Sequence, residues 1–544
     1  MNINSNDTMP TLKKTSFSKG WFFAVPAIVF LLVRLWITFN TIIVSVTDFR
    51  HGVGIFGSPF IGFAHYEWIF DMPGFWSAIR NSFILVTLPV IFTSVVAGIF
   101  VFCIANLPKK WMKYLALTII AIPAFIPAVA FASLMREFLP SGMLLRPMLY
   151  PFIFSLMDIL RNALIPTIIG LLAYNAHQKK AFGVLIALTI YALFRLIFMF
   201  TPDFELVFLT YSVPIYETAD VLDTFMFRLM MQGSFSTTSA VWVVRTLIQL
   251  IPAAGAWVGI HFLSKKFKTA DKIDCRDNGD SNYSGKNSPT SSVLAIIGFL
   301  ILSIPFIWIA VRMFPIFSPN MWSAMPILFS FPEIGIGVLN SFIYSLGGGL
   351  IFAGFALITA YPLVFKTKWY PLILLLTLLL GNNLIGEHLF LSGWLLGTPF
   401  VIWGSVGIST IGAFALYFAV RNKLSSANTL NTPPKFQEYF KLTYKPSIFL
   451  GLIVFALSRG GVLSEIIYLS ERNYGIDLVA FFTFTAAGAR DYSLPYFMRR
   501  TFGLAEALRF IVSIVPVTIG ITLIWLDAFL KTPILSLFTA NVKR

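Results

Sequence analysis

The residues with the most evident chemical potential are ionisable side chains inside long apolar stretches of the chain. They are Asp158, Arg161, Arg195, Arg245, Arg459 and Glu387. A charge held in the hydrocarbon of a bilayer is costly, so such side chains usually face protein or water. One interpretation is a polar cavity for a sugar or another hydrogen-bonding solute. The alternative is structural, with ion pairs that fix helix packing or arginines whose guanidinium groups reach the membrane surface.

Asp158 and Arg161 have the most suggestive spacing among these residues. They lie three residues apart in the sequence MDILRN. Side chains at this spacing share one face of a helix. The sequence therefore predicts that the two can pair along one helix, and it leaves open whether that pair is functional or structural.

Other chemistry finds little support in the sequence. The histidines are scattered without metal-ligand spacing, at positions His51, His65, His177, His261 and His388. No Gly-x-Ser-x-Gly or nucleotide-binding motif is present, and Gly347–Gly349 fits close helix packing better than a phosphate loop. We therefore expect no enzyme activity, no metal and no cofactor in this chain. Any ATPase would be a separate polypeptide.

The elements that hold these residues are predicted to be transmembrane helices. The chain is 57% hydrophobic and only 12% charged, which predicts an all-α polytopic membrane protein. Hydropathy gives about twelve spans. In the first half they are approximately 21–46, 81–105, 114–135, 151–174, 181–208 and 237–263. In the second half they are approximately 292–314, 338–364, 370–391, 397–420, 446–470 and 506–530.

The loop charges predict the orientation of these spans. The net charge of +16 could indicate nucleic acid, but lysines and arginines cluster in alternate loops. Such clusters mark the cytoplasmic side of a membrane protein. With about twelve spans the basic loops all fall on one side, together with both chain termini. We therefore predict a cytoplasmic (inner) membrane protein with cytoplasmic termini and no nucleic-acid partner.

A polar segment divides the chain into two halves. Residues 265–291 are rich in Ser, Asn and Asp and are predicted to form a flexible cytoplasmic linker. The predicted units are an N-terminal tail (1–20), a first half (21–264), the linker, a second half (292–531) and a C-terminal tail (532–544). The halves echo each other weakly around Asn81-Ser82 and Asn340-Ser341. This echo suggests an internal duplication.

Several stretches resemble a known family in order along the chain. Residues 60–90 and 119–144 resemble the outside segment, second span and third span of binding-protein-dependent ABC sugar importer permeases of the maltose-permease type. Residues 339–365 resemble the second span of the partner permease. The resemblance implies two six-helix type I ABC-permease-like halves, normally separate subunits, fused in one chain. It also implies a pathway for sugars or oligosaccharides, powered by a separate ATPase and fed by an extracytoplasmic solute-binding protein.

One outside segment resembles a particular branch of that family. In polysaccharide- or oligosaccharide-type permeases, a Tyr-x-Thr-Ala-Asp-Val-x-x-Thr stretch precedes the last helix of the permease. Here residues 207–244 contain this stretch, beginning at Tyr216 and including Asp220. Asp223 lies within the same stretch. The resemblance accounts for this acidic pair better than a catalytic motif does.

The loops that would contact an ATPase depart from the family pattern. Such permeases present a short helix with a Glu-Ala-Ala and a following Gly. Before the eleventh predicted span this pattern is missing, and Pro433-Pro434 would break a helix. A remnant of the family loop remains in Phe436, Tyr439, Phe440, Lys445 and Pro446. In the first half, residues 173–183 are too short for such a helix.

Two functional hypotheses therefore remain open. The first is a fused ABC importer permease that forms the membrane pathway. The second is a degenerate permease that does not transport and instead acts as a scaffold or anchor among other membrane subunits. The retained outside segments favour the first hypothesis, whereas the altered loops favour the second.

Overall fold

The computed structural model describes most of the helical part of the chain. The described residues are 18–139, 143, 146–176, 179–210, 213–274, 289–365, 369–381, 383, 386–388, 408–417, 436–457, 479–480 and 502–529. Arg459 and Pro433-Pro434 lie outside the described residues, and so do most of the predicted linker and of the tenth and eleventh predicted spans.

The described residues form an all-α fold. Their only pairing of β type is an isolated bridge between Thr47 and Phe60. The helices before the linker are α1 (Ser18–Ser45), α2 (Gly54–Gly57), α3 (Ala64–Asp71), α4 (Phe75–Ala105), α5 (Lys110–Ala124), α6 (Ala128–Phe138), α7 (Tyr150–Asn162), α8 (Leu164–Ala176), α9 (Lys180–Leu196), α10 (Phe204–Thr210), α11 (Tyr216–Ala219), α12 (Leu222–Met231) and α13 (Phe235–Asp274). The later helices are α14 (Pro289–Met313), α15 (Pro319–Phe329), α16 (Pro332–Ala360), α17 (Tyr370–Leu379), α18 (Phe436–Leu457) and α19 (Phe502–Phe529).

The fold is that of a multi-pass membrane protein, but the described part does not contain twelve spans. Seven of its helices are long and apolar enough to cross a bilayer, or up to nine if each of two bent helix pairs is one span. The described part of the ninth predicted span contains α17, a helix of 10 residues, and the fifth contains α9, a helix of 17 residues. A helix that crosses the hydrocarbon needs about 20 residues, so these two fall short by themselves.

Prolines explain why the third and fourth predicted spans are bent pairs. Helices α5 and α6 meet at 90°, and α7 and α8 meet at 58°. Pro127 has no N–H and disfavours helical geometry at the residue before it, so the helix stops there and α6 starts afresh. Pro166 lies in the first turn of α8 and cannot donate to the carbonyl of Asn162, the last residue of α7.

The two halves exchange their first helices. Helix α1 packs on α13 of its own half and also on α16 and α17 of the second half, and α14 packs mainly on α4 and α5 of the first half. Phe30 and Phe355 join α1 to α16 with ring centroids 5.9 Å apart, and Phe100 and Phe306 join α4 to α14 at 5.4 Å. Helices α4 and α16 carry the matching Asn-Ser pairs. Each half therefore receives the first helix of the other half at the equivalent second helix.

A second correspondence involves the last helix of each half. Helix α3, just before α4, packs on α13, and α15, just before α16, packs on α19. The two halves thus repeat the same order of contacts although their sequences match only weakly. Packing of this kind depends on the shapes of helix faces and tolerates many apolar sequences.

Helices α16 and α18 approach each other closely at two glycines. The carbonyl oxygen of Gly451 lies beside Gly349, and the carbonyl oxygen of Gly349 lies beside Gly451. Small residues allow this approach between membrane helices. The prediction that Gly347–Gly349 serves close helix packing is confirmed at Gly349.

Candidate functional site

Asp158 lies at the centre of a buried polar cluster in the first half. Its carboxylate accepts hydrogen bonds from Thr93 Oγ1 at 3.1 Å and from Asn162 Nδ2 at 2.7 Å. Its ionic partner is Arg195 on α9, with Nη2 3.5 Å from Asp158 Oδ1. The cluster therefore joins α4, α7 and α9 and compensates the carboxylate within the bundle.

Arg161 pairs elsewhere, and the predicted pairing of Asp158 with Arg161 along one helix is not the arrangement found. Arg161 Nη1 lies 2.7 Å from Asp203 Oδ2, just before α10. Helical spacing allowed the local pair, but Arg195 and Asp203 supply a separate partner for each residue. Together the two ion pairs hold α7 against α9 and against the segment that leads into α10.

The segment that contains Tyr216 and Asp220 folds into a turn that is fixed by the Asp220 side chain. Arg228 donates two hydrogen bonds to the Asp220 carboxylate, at 2.8 and 2.6 Å, and lies over the ring of Tyr216 at 5.2 Å. Thr224 Oγ1 donates to Asp220 Oδ1 at 2.7 Å. A bidentate guanidinium-carboxylate pair fixes geometry as well as charge. Tyr216 and Asp220 thus shape the segment rather than leaving the carboxylate open for chemistry.

This segment docks on the Asn-Ser pair of α4. Asn81 Nδ2 donates to the carbonyl oxygens of Glu217 and Asp220, at 3.0 and 2.9 Å. The backbone N–H of Leu222 donates to Ser82 Oγ at 2.9 Å. Two of the stretches that carry the family resemblance in the first half, residues 60–90 and 207–244, therefore contact each other.

We expect Asn81→Ala to destabilise the protein by about 1–3 kcal/mol, because the buried carbonyl of Asp220 loses the hydrogen bond from Asn81, whereas the carbonyl of Glu217 keeps Arg80 as a donor. The measurement is the midpoint of thermal unfolding of the purified protein in detergent. Asn106→Ala is the control, since the Asn106 side chain makes its hydrogen bond to Phe102 on the exposed end of α4. Equal midpoints for the two variants would contradict the docking role of Asn81.

Asp223 and Arg245 form a deeply buried ion pair. Their side chains are only 6% and 4% exposed, and Arg245 Nη1 donates to Asp223 Oδ1. Burial raises the pKa of the Asp223 carboxyl, and the guanidinium of Arg245 opposes that rise. The pair ties α12 to α13 and leaves neither charge facing lipid.

Glu387 belongs to a contact between the two halves. Its partner is Arg34 on α1, which also donates to the carbonyl oxygen of Gly381 at 3.2 Å. Nearby, Asn383 Nδ2 donates to Thr41 Oγ1 at 2.9 Å. The predicted polar site at Glu387 is thus part of the interface where α1 packs on the second half.

A second ionic contact between the halves involves residues absent from the predicted site. Arg509 of α19 pairs with Glu137 of α6, and Trp525 Nε1 donates to Thr118 Oγ1 at 3.1 Å. Sequence reasoning also missed Arg34, Asp203 and Arg228 as partners. Arg34 carried a usable signal, because it is an arginine inside an apolar span.

The residues predicted to be a remnant of the coupling loop form the first turns of α18. Phe436 stacks on Phe23 of α1 with centroids 4.4 Å apart, and the buried Tyr439 donates its hydroxyl to Leu357 O at 3.0 Å. Pro446 is also buried. Phe440 is exposed and stacks on Tyr444 at 5.8 Å. One face of these turns therefore fixes α18 to α1 and α16, while the other is free of packing against the bundle.

Lys445 and its neighbours give the exposed face of these turns its chemistry. The Lys445 ammonium lies 5.9 Å from the Tyr444 ring centroid, and the exposed side chains include Gln437, Glu438 and Lys441. In the first half, α8 ends at Ala176 and α9 begins at Lys180. Only residues 177–179 join them, which leaves no room for a coupling helix.

No family model and no curated protein matches this chain. The solved structures that are similar to it include the following two. One is a bacterial alginate ABC transporter in complex with an alginate pentasaccharide-bound periplasmic protein, at 23% identity and a TM-score of 0.33, over 36% of this chain and 81% of that chain. The other is a bacterial ABC transporter involved in the import of the acidic polysaccharide alginate, at 21% identity and a TM-score of 0.37, over 47% of this chain and 97% of that chain.

Proposed function

We propose that this chain is the membrane subunit of an ABC-type importer, with two permease halves fused into one polypeptide. The observation that carries the proposal is the reciprocal exchange of α1 and α14 between the halves. If the first helix of each of two subunits packs on the other subunit, a cytoplasmic linker can join the two chains without any change in this packing. The sequence resemblance of residues 60–90 and 339–365 to paired permeases supports the same interpretation.

The proposed organisation has residues 21–264 and 292–531 as the two permease halves. Residues 1–20, 265–291 and 532–544 are proposed to be cytoplasmic tails and a linker, in a protein of the inner membrane. The alternating basic loops support this orientation. The resemblance favours sugars or oligosaccharides as the solute, delivered by an extracytoplasmic binding protein. We assign no catalytic step to this chain, so a separate ATPase would supply the energy.

The coupling to that ATPase is proposed to be one-sided. The connection between α8 and α9 is three residues long, so the first half offers no docking helix. The first turns of α18 in the second half are anchored by Phe436 and Tyr439 and expose a polar and aromatic face. This face, together with the residues before it in sequence, is the proposed contact for the ATPase.

A photo-crosslinking experiment tests this assignment in native membranes. A photoreactive amino acid replaces the exposed Gln437, and the crosslinked proteins are identified by mass spectrometry. We expect a nucleotide-binding protein among the products. The control position is the exposed Glu67 on α3, which is proposed to lie outside the cell membrane and should not crosslink to the same protein. Recovery of other proteins only from position 437 would contradict the coupling role.

The second candidate function is a scaffold that no longer transports. The specific observation in its favour is again the short connection between α8 and α9, because the family contacts its ATPase through both halves. In that case position 437 would crosslink to membrane or envelope proteins that bind no nucleotide.

A further inference from the structure

The loop that follows α1 turns back along the outside of that helix. Residues 47–60, here called the outer loop, are closed by the bridge between Thr47 and Phe60. The Asp48 N–H also donates to Pro59 O at 2.9 Å, and the Ile61 N–H donates to Val46 O at 3.0 Å. The short helix α2 forms the far end of this loop and contacts α1.

The outer loop contacts α1 at a residue far from the C-terminal end of that helix. The ring of Phe56 in α2 lies 6.5 Å from the ring of Trp36, centroid to centroid. Trp36 precedes the last residue of α1, Ser45, by nine residues, which is roughly 14 Å along a helix. The outer loop therefore reaches back to a depth at which α1 is part of a membrane-spanning segment.

The surface around this contact is apolar and lies open. Phe56 is 68% exposed and Val53 is 57% exposed. On α1 the exposed face continues through Trp36, Phe39 and Leu32, all apolar. Since α1 is one of the spanning helices, lipid is the medium that this face meets, and the end of the outer loop is continuous with it.

Several polar groups of the outer loop are hydrogen-bonded within the loop itself. Backbone groups in hydrocarbon need partners within the protein. The Ser58 hydroxyl accepts from the Arg50 N–H at 3.0 Å and donates to Gly54 O at 2.7 Å, and the Val53 N–H donates to Arg50 O at 3.2 Å. Gly54 has a φ of 75°, a conformation that favours glycine and permits the turn into α2.

The ionisable residues of the outer loop are Asp48, Arg50 and His51, and all three precede its apolar end. Arg50 pairs with Asp48 at 2.9 Å, and both side chains are exposed. A segment held at a membrane interface has charged residues near the lipid headgroups and an apolar part in the acyl region. The outer loop has this arrangement. We infer that the outer loop is a lipid-embedded element, with Val53 and Phe56 inserted into the acyl region of the outer leaflet beside α1.

Spin labelling in proteoliposomes tests this inference. Cys103→Ala and Cys275→Ser give a background without cysteine, into which Phe56→Cys or Glu67→Cys is introduced and labelled with a nitroxide. The vesicles contain phosphatidylethanolamine and phosphatidylglycerol. Power saturation then compares collisions with oxygen, which concentrates in lipid, and with a water-soluble nickel chelate.

The label at position 56 is expected to collide more often with oxygen than with nickel, and the label at position 67 is expected to show the inverse. Val53→Cys provides a second lipid-facing position if the variant at 56 does not assemble. Nickel collisions at position 56, or at 53 in its place, that equal those at position 67 would overturn the inference. This result would leave the proposed transport function untouched, because the test requires neither solute nor ATPase.

Discussion

Replacing Asp223 by alanine is expected to destabilise the protein by about 3–5 kcal/mol, because the substitution removes the carboxylate that compensates the buried guanidinium of Arg245. Both side chains are almost wholly removed from solvent. A buried ion pair contributes little net stability over an apolar pair, yet removing one member leaves the other at the full cost of burial. The effect should therefore be far larger than the worth of an ordinary salt bridge.

The measurement is the apparent free energy of unfolding from a denaturing-detergent titration in mixed micelles. Asp48→Ala is the matched control, since it breaks an ion pair with Arg50 whose members are 48% and 66% exposed. Such a pair is worth about 0–1 kcal/mol. The double variant Asp223→Leu with Arg245→Met should recover most of the loss, because it removes both charges together. If Asp223→Ala lowered the free energy of unfolding no more than Asp48→Ala does, the burial described for this pair would be contradicted.

Replacing Gly349 by leucine is expected to cost about 3 kcal/mol or more, because the α16–α18 crossing has no space for a side chain. A Cβ atom at Gly349 would lie 2.6 Å from the carbonyl oxygen of Gly451 and 3.2 Å from the Cβ of Phe455. The nearest obstacle is backbone, which cannot rotate aside as a side chain can. The two helices would have to separate along their length.

Gly354→Leu is the control on the same helix. A Cβ atom there meets nothing within 4 Å, and the residue is exposed. A leucine at that position faces lipid and should leave stability unchanged. The same titration compares the two variants, and equal unfolding free energies would show that the crossing is looser than described.

The sequence was most informative about the spans and least informative about their breaks. Long apolar runs identified α1, α4, α13, α14 and α16 because hydrophobicity must persist over the thickness of the bilayer. Pro127 and Pro166 are visible in the sequence, but membrane helices often tolerate proline. Whether a proline bends or breaks a span depends on the neighbouring helices, so the bent pairs at α5–α6 and α7–α8 were not predicted.

For the polar residues, too, the sequence predicted some features and not others. Hydropathy correctly marked Asp158, Arg195 and Arg245 as unusual, because charges in apolar stretches need partners. The partners themselves could not be predicted, since helix spacing relates only residues on one helix. Arg195 on α9 pairs with Asp158 on α7, and Asp203, which follows α9, pairs with Arg161 on α7. Glu387 pairs with Arg34 across the interface between the halves.

The Asn-Ser pair shows how a faint repeat can mark a real contact. Asn81 and Ser82 suggested duplication, but the sequence did not indicate what they hold. Their hydrogen bonds to the segment of Tyr216 and Asp220 explain why both motifs occur together in the first half. A short polar pair on an apolar helix was the available signal.

The most direct test of the proposed function is purification of this protein from its native membrane in mild detergent, followed by quantitative mass spectrometry of what remains bound. The account predicts a nucleotide-binding subunit at constant stoichiometry to this chain. Consistent absence of such a subunit, with other membrane or envelope proteins bound in its place, would contradict ATP-driven import and would leave the scaffold as the function of this fold.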